Sequence, residues 1–132
     1  MKITADTNVL LRLVVPDNPA QQRLAVETLK RASSVAISVH SLCELAWVME
    51  RLYKAPRFEI VAAIRLFMNT RNVVLNRPAV EAGLAILNVG GDFADGVIAF
   101  DGQWLGGETF VSFDKAAVKF LKGQGTAARL LA

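Results

Sequence analysis

The sequence is poor in the residues that most often bind zinc or form disulfide bonds. Its 132 residues include one histidine, His40, and one cysteine, Cys43. A single histidine excludes a two-histidine acid/base nuclease and an HExxH zinc site. A single cysteine excludes an internal disulfide and a CxxC metal or redox site. If the chain catalyses a reaction, carboxylates must carry out the chemistry.

The sequence also lacks the run of about 20 apolar residues that a membrane span requires. Arg12 interrupts the apolar run that begins at Val9, so no signal peptide is expected, and the single cysteine favours a cytoplasmic location. Apolar residues make up 53% of the chain and charged residues 20%, with a mean hydropathy of +0.36. This composition predicts one domain over residues 1–132, with some apolar surface hidden in an interface. The net charge of +3 is only mildly basic.

Short β-type segments alternate with longer amphipathic segments along the whole chain. Proline and glycine pairs separate them, as at Gly90-Gly91 and Gly106-Gly107. The predicted strands are 2–6, 35–39, 72–75, 109–113 and 127–131, and the predicted helices are 7–15, 19–32, one capped by 40–41, 57–69, 79–89, 92–104 and 114–121. The alternation predicts an α/β fold with a central parallel sheet of four to five short strands, covered by helices on both faces.

Four acidic residues occupy the positions where such a fold places a ligand site, beyond the carboxyl ends of the strands. Asp6 ends the first strand, and Asp114 follows the fourth. Glu44 lies in the first turns of the helix after the second strand, and Asp95 starts the helix before the fourth. Converging carboxylates repel one another unless a cation lies between them. The pattern therefore predicts a divalent metal.

Each acid also has a purely structural explanation. Asp6, Asp92, Asp95 and Asp114 precede helical segments, where aspartate is favoured as a cap or first-turn residue. For Asp92 the cap is preferred over a role as a fifth acid. Glu44 has apolar neighbours and is expected to be partly buried, and an ion pair with Arg51 is its alternative role.

Four segments together resemble the PIN domain, and their spacing and the chain length most resemble VapC-type toxins of bacterial toxin–antitoxin pairs. They are Ala5-Asp6-Thr7-Asn8, Ser41-Leu42-Cys43-Glu44-Leu45, Asp95-Gly96-Val97-Ile98-Ala99 and Val111-Ser112-Phe113-Asp114-Lys115. The resemblance implies a PIN-like three-layer α/β/α fold and a metal-dependent ribonuclease.

The same resemblance implies which residues carry the reaction. Asp6, Glu44, Asp95 and Asp114 match the catalytic acids, and Asn8 and Ser112 match supporting polar residues. We expect Asp6, Asp95 and Asp114 to hold one or two ions, with Glu44 sharing the site. Hard oxygen ligands select Mg²⁺ or Mn²⁺ over zinc, and a metal-activated water would then hydrolyse the phosphodiester bond.

Two positions depart from the family pattern. Gly96 stands where alanine is common, and as a helix-destabilising residue it is expected to loosen the turn that carries Asp95. Phe113 stands where a basic residue is common, which affects substrate contacts rather than metal binding.

Basic residues and apolar helices indicate partners. Lys115, Lys119 and Lys122 share one face of the last helix and, with Arg12, are candidate contacts to RNA phosphates. An ordinary solvated face is the alternative. The segments 19–32, 44–54 and 57–68 are more apolar than one sheet needs, and the resemblance supplies two uses for them, a homodimer face and a groove for a VapB-like antitoxin.

Two other functions remain open. A non-catalytic RNA-binding or regulatory module would use these acids only as caps and ion pairs. A haloacid-dehalogenase-like phosphatase needs a second aspartate two residues after the first, where this chain has Asn8.

Overall fold

The computed structural model describes residues 1–131 and divides the chain into two compact units. Unit 1 is Met1–Asn76 and unit 2 is Arg77–Ala132. Across residues 1–131 the elements are seven helices and five strands, with one or two helices between successive strands. This confirms the α/β class with parallel strands predicted from the sequence. The single domain expected from the length stays a prediction.

Unit 1 is built on a three-stranded parallel sheet with helices in each crossover. Its elements are β1 (Lys2–Thr4), α1 (Thr7–Val14), α2 (Pro19–Arg31), β2 (Ser34–Ala36), α3 (Val39–Arg51), α4 (Arg57–Met68) and β3 (Val73–Val74). The strand order is β1-β2-β3, with Lys2 opposite Ser34 and Val35 opposite Val73. Because the strands are parallel and in near register, the residues that follow them share one edge of the sheet.

Side-chain caps begin three of the four helices of unit 1, α1, α2 and α3, whereas α4 begins after Pro56 without one. The Asp6 carboxylate accepts from the Thr7 N–H at 2.8 Å, and the Asn18 side chain accepts from the Gln21 N–H at 3.1 Å. The prediction that His40-Ser41 caps the third helix is wrong, because the Ser38 hydroxyl is the cap and α3 already begins at Val39. A serine placed three residues before an N–H satisfies that otherwise unpaired donor.

Unit 2 pairs two parallel strands and packs them with three helices. Its elements are α5 (Arg77–Asn88), α6 (Phe93–Trp104), β4 (Phe110–Ser112), α7 (Lys115–Gly123) and β5 (Ala128–Leu130). β4 pairs with β5 with Phe110 opposite Ala128. Ile86, Ala99 and Leu121 form a buried cluster against which Phe110 and Phe120 pack. Asp92 caps α6, and Asp114 caps α7.

Gly96 sets how closely α5 and α6 approach. A Cβ atom at Gly96 would lie 2.3 Å from the Ala82 carbonyl oxygen and 2.8 Å from the Gly83 Cα. Both of these atoms belong to the α5 backbone, so no side-chain rotation could make room. Gly96 is also buried. It therefore permits tight helix packing beneath Asp95, and the loosening expected from helix propensity is corrected.

The predicted strands extend one to three residues past the observed carboxyl ends, since the ladders stop at Thr4, Ala36, Val74 and Ser112. A last sheet bond follows two of them, from the Ala5 N–H to the Ala36 carbonyl and from the Ile37 N–H to the Val74 carbonyl. Within residues 1–131, no helix is both long and apolar enough to cross a membrane.

Candidate active site

The acidic residue Asp6 leaves β1 at the carboxyl edge of the unit 1 sheet and is exposed. Its Oδ1 atom accepts the Thr7 N–H that opens α1. The Thr7 hydroxyl donates to the Glu44 Oε1 atom on α3 at 3.1 Å. Asp6 and Glu44 are therefore joined through one residue, Thr7, although 38 positions separate them in the sequence. We call these three residues the unit 1 acidic group.

Glu44 is exposed, so its predicted partial burial is wrong. Its apolar neighbours in the sequence face inward, with Leu42, Leu45 and Ala46 buried. The helical period then turns Glu44 outward. Arg51, its predicted alternative partner, instead lies over the Trp47 ring, with its guanidinium carbon 6.0 Å from the ring centroid.

Thr7 is the site residue that sequence reasoning did not single out. Its position between Asp6 and Asn8 was part of the recognised segment, but nothing in the spacing showed that its hydroxyl reaches α3. Asn8 itself is exposed on α1 and borders a cleft of about 460 Å³ between α1 and α2 that Arg12 and Leu24 also line. No hydrogen bond in the described residues connects Asn8 to Asp6 or Glu44.

In unit 2 the charges of two aspartates act on a third, Asp95. Asp95 lies in the first turn of α6, one turn after the capping residue Asp92. Burial, and then the negative charges of Asp92 and Asp114, raise the pKa of Asp95 from 3.8 to about 6. Within residues 1–131 the Asp95 carboxylate accepts no hydrogen bond. We call Asp92, Asp95 and Asp114 the unit 2 acidic group.

Asp114 is held in position by contacts on both sides. Its Oδ1 atom accepts from the Ala116 N–H at 2.9 Å and the Ala117 N–H at 3.2 Å. Its own N–H donates to the Ser112 hydroxyl at 3.0 Å. Ser112 therefore shapes the turn between β4 and α7 that presents Asp114. Asp92 accepts from the Ala94 N–H at 3.3 Å, which is the capping role preferred for it from the sequence.

The donor chemistry of the unit 2 acidic group fits a hard divalent cation. A partly buried carboxylate beside two like charges gains stability when a cation neutralises it. In the part of the chain that the structure describes, no group of three or more histidine, cysteine or acidic side chains encloses a metal position. Mg²⁺ does not need one, because it usually keeps several waters and binds through one or two carboxylates and substrate phosphates.

The predicted RNA contacts differ in their availability. Lys115, Lys119 and Lys122 are exposed on α7, which begins immediately after Asp114. Arg12 forms an ion pair with Asp17, and the Tyr53 hydroxyl donates to the same carboxylate at 2.8 Å. The hydrogen bond from Tyr53, followed by that from Arg12, lowers the pKa of Asp17. Binding of RNA at Arg12 would have to compete with this pairing.

Comparison with known proteins completes the description. No curated protein matches the sequence. The model of the PIN domain family matches residues 3–120, a span that includes all four predicted catalytic acids. PIN domains are typically metal-dependent nucleases. Because the match covers most of the sequence, the chain belongs to the PIN domain family.

Proposed function

We propose that this protein is a metal-dependent endoribonuclease whose catalytic carboxylates are Asp6, Glu44, Asp95 and Asp114. The observation that carries the proposal is the unit 2 acidic group, where a partly buried Asp95 is crowded by Asp92 and Asp114 and has its pKa raised to about 6. Strongly perturbed carboxylates are concentrated at functional sites. Membership of the PIN domain family supports a nuclease function for this acidic group.

Mg²⁺ or Mn²⁺ fits the oxygen ligands, and Asp6, Asp95 and Asp114 are the proposed ligands. When bound, such an ion polarises the scissile phosphate and makes the attacking water more acidic. Asp114 contributes a carboxylate whose direction is set by two backbone N–H groups and Ser112. Its Oδ2 atom accepts none of these bonds and remains available to a ligand.

The remaining residues of the proposed site act on the attacking water and on the RNA. The Glu44 carboxylate, held by the Thr7 hydroxyl, is exposed and able to accept a proton from water. Lys115, Lys119 and Lys122 bind RNA phosphates without reading bases. Asp114 caps the start of α7, so an RNA backbone bound along these lysines would have one end next to Asp114.

We further propose that the protein is the toxin of a VapBC-type pair, with a VapB-like antitoxin and a second copy of the chain as partners. Large apolar side chains are exposed on α2, α3 and α4, where such partners would cover them. They are Leu24, Trp47, Phe58 and Leu66. A small reading frame for an antitoxin beside the gene would support the toxin role.

The test of the nuclease proposal is cleavage of a structured RNA in Mg²⁺ or Mn²⁺. Asp95→Asn and Asp6→Ala should each reduce the cleavage rate by about 100-fold or more, because a positioned acid or base contributes at least that factor. EDTA should abolish cleavage by the wild type. Glu108→Gln, which removes an exposed charge from unit 2 outside both acidic groups, should cleave like the wild type.

Equal cleavage by the wild type, Asp95→Asn and Asp6→Ala would disprove the assignment. RNA binding without cleavage under any of these metal conditions would favour the non-catalytic RNA-binding module instead. Circular dichroism of each variant establishes that a loss of rate is not a loss of fold.

A further inference from the structure

The amino edge of the unit 1 sheet carries a concentration of basic side chains. The parallel register places the residues preceding β2 and β3 beside the start of β1, opposite the edge from which Asp6 emerges. Four exposed cations lie at this edge or immediately before it in the sequence, Lys2, Lys30, Arg31 and Arg71. We call these four residues the amino-edge patch.

Nothing in the described residues neutralises the patch. No ion pair within residues 1–131 involves any of the four residues; the pair of Arg12 with Asp17 lies outside the patch. Glu27 lies one turn before Lys30 on α2 but pairs with neither Lys30 nor Arg31. Cations are favoured at a helix C-terminus, which accounts for Lys30 and Arg31 at the end of α2. That effect does not account for Lys2 on β1 or Arg71 before β3.

A polar cleft of about 440 Å³ opens within the patch. Lys30, Ser33, Arg71 and Asn72 line it, together with Ala32. The Asn72 side-chain amide donates to the Leu29 carbonyl at 2.9 Å and the Ala32 carbonyl at 3.0 Å. These bonds satisfy carbonyls at the end of α2 and fix the floor of the cleft. Lys30 and Arg71 therefore border a cleft in which the carbonyls of Leu29 and Ala32 are already hydrogen-bonded to Asn72. These carbonyls do not compete for the two cations.

We propose that the amino-edge patch binds the sugar–phosphate backbone of RNA, as an anchoring surface separate from the residues at the carboxyl edge of the same sheet. Lysine and arginine beside an exposed hydroxyl, Ser33, are the groups that bind phosphate oxygens. The identity of the polyanion as RNA rests on the proposed ribonuclease function. The edges are about 13 Å apart, from the rise per residue between Lys2 and Asp6. One phosphodiester group therefore cannot occupy both.

The test is RNA binding in EDTA, where no cleavage occurs, measured by fluorescence anisotropy with a labelled hairpin RNA. The variant Lys30→Gln/Arg71→Gln should bind roughly tenfold more weakly at moderate salt. The slope of log Kd against log salt should fall by about 1.5, because each lost phosphate contact removes about 0.7–0.9. The matched control Arg23→Gln/Lys54→Gln removes the same charge from exposed positions elsewhere in unit 1 and should change the slope by less than half as much.

Cleavage of a dinucleotide substrate separates anchoring from chemistry. Lys30→Gln/Arg71→Gln, the edge variant, should cleave the dinucleotide at the wild-type rate while losing affinity for the hairpin. Equal hairpin binding by the edge and control variants overturns the proposal. The proposal is also overturned if polyglutamate binds the protein and this binding is lost in Lys30→Gln/Arg71→Gln, because the surface would then bind acidic peptides. Edge-dependent RNA binding by a protein that never cleaves would uphold this inference and refute the nuclease assignment.

Discussion

At the scale of single residues, Asp95 shows how a site can oppose the stability of its own fold. Its carboxylate is partly buried, accepts no hydrogen bond in the described residues, and lies beside the negative charges of Asp92 and Asp114. A carboxyl group with a raised pKa stabilises the folded state only while it is protonated. At neutral pH, ionised Asp95 therefore lowers the free energy of unfolding of the metal-free protein.

The sign of the pH dependence follows from this pKa. Below about pH 4 the folded and unfolded chains both hold the proton, and the cost disappears. As the pH rises through about 6, the folded chain must accept the charge and the stabilisation is lost. Asp95→Asn should then raise the free energy of unfolding by about 1 to 2 kcal/mol at pH 8, after allowance for solvent screening, and change it little at pH 4.

Thermal unfolding in EDTA at the two pH values measures this difference. A rise in Tm of roughly 3–6 °C at pH 8 corresponds to the lower figure. Glu108→Gln serves as the control for loss of one exposed negative charge. If Asp95→Asn raised Tm equally at pH 4 and pH 8, crowding of the charge could not be the cause.

The sequence was a good guide to which residues are acidic caps and a poor guide to what their side chains contact. Asp6, Asp92 and Asp114 cap helices as the local signals indicate, because an N-cap is set by its immediate neighbours. The bond from Thr7 to Glu44 joins two helices and depends on tertiary packing, so no local pattern contains it. The exposure of Glu44, in contrast, follows from the helical period that turns Leu42, Leu45 and Ala46 inward.

At the scale of elements, the crossing of α5 and α6 is set by a residue that propensity alone misjudges. Gly96 reads as a weak point in a helix, yet its missing Cβ lets the two backbones meet. Hydrophobic period and turn residues predicted every helix and strand of the described chain to within a few residues. They carry no information on how closely two helices approach, which depends on atoms far apart in sequence.

Gly96→Ala should destabilise the protein by about 1–2 kcal/mol, the net of overpacking and helix propensity. Overpacking against the Ala82 carbonyl and Gly83 Cα costs about 1–3 kcal/mol or more, and this outweighs the gain of about 1 kcal/mol in helix propensity. Gly102→Ala on the same helix has open space around the new Cβ and should be neutral or stabilising. Urea unfolding of both variants makes the comparison, and equal midpoints would contradict the packing argument.

At the scale of the whole molecule, the match to the PIN domain family spans residues 3–120 and so includes both acidic groups. The net charge of +3 averages over distinct local concentrations: the two acidic groups hold five of the twelve acids, and α7 and the amino-edge patch hold seven of the fifteen lysine and arginine residues. Basic surfaces attract polyanions, and acidic groups attract cations.

Metal binding to this charge distribution should be visible as stability. Mg²⁺ at about ten times its Kd should stabilise the native state by about 1.4 kcal/mol and raise Tm by several degrees, because the unfolded chain lacks the assembled ligands. Differential scanning fluorimetry with KCl at matched ionic strength separates this from screening. Asp95→Asn should lose most of the Mg²⁺ effect, and an undiminished effect in that variant would place the ion elsewhere.

The use of one carboxylate for both a helix cap and the site has a consequence for how this protein can change over generations. In Asp6 and Asp114 the Oδ1 atom caps a helix, while the charge of the carboxylate is what the proposed metal site uses. Asparagine keeps an acceptor oxygen for the cap but carries no charge. Aspartate to asparagine at either position would therefore leave the fold intact and remove the charge that the proposed reaction needs. Alanine would remove the helix cap as well. Inactive, well-folded descendants are one substitution away.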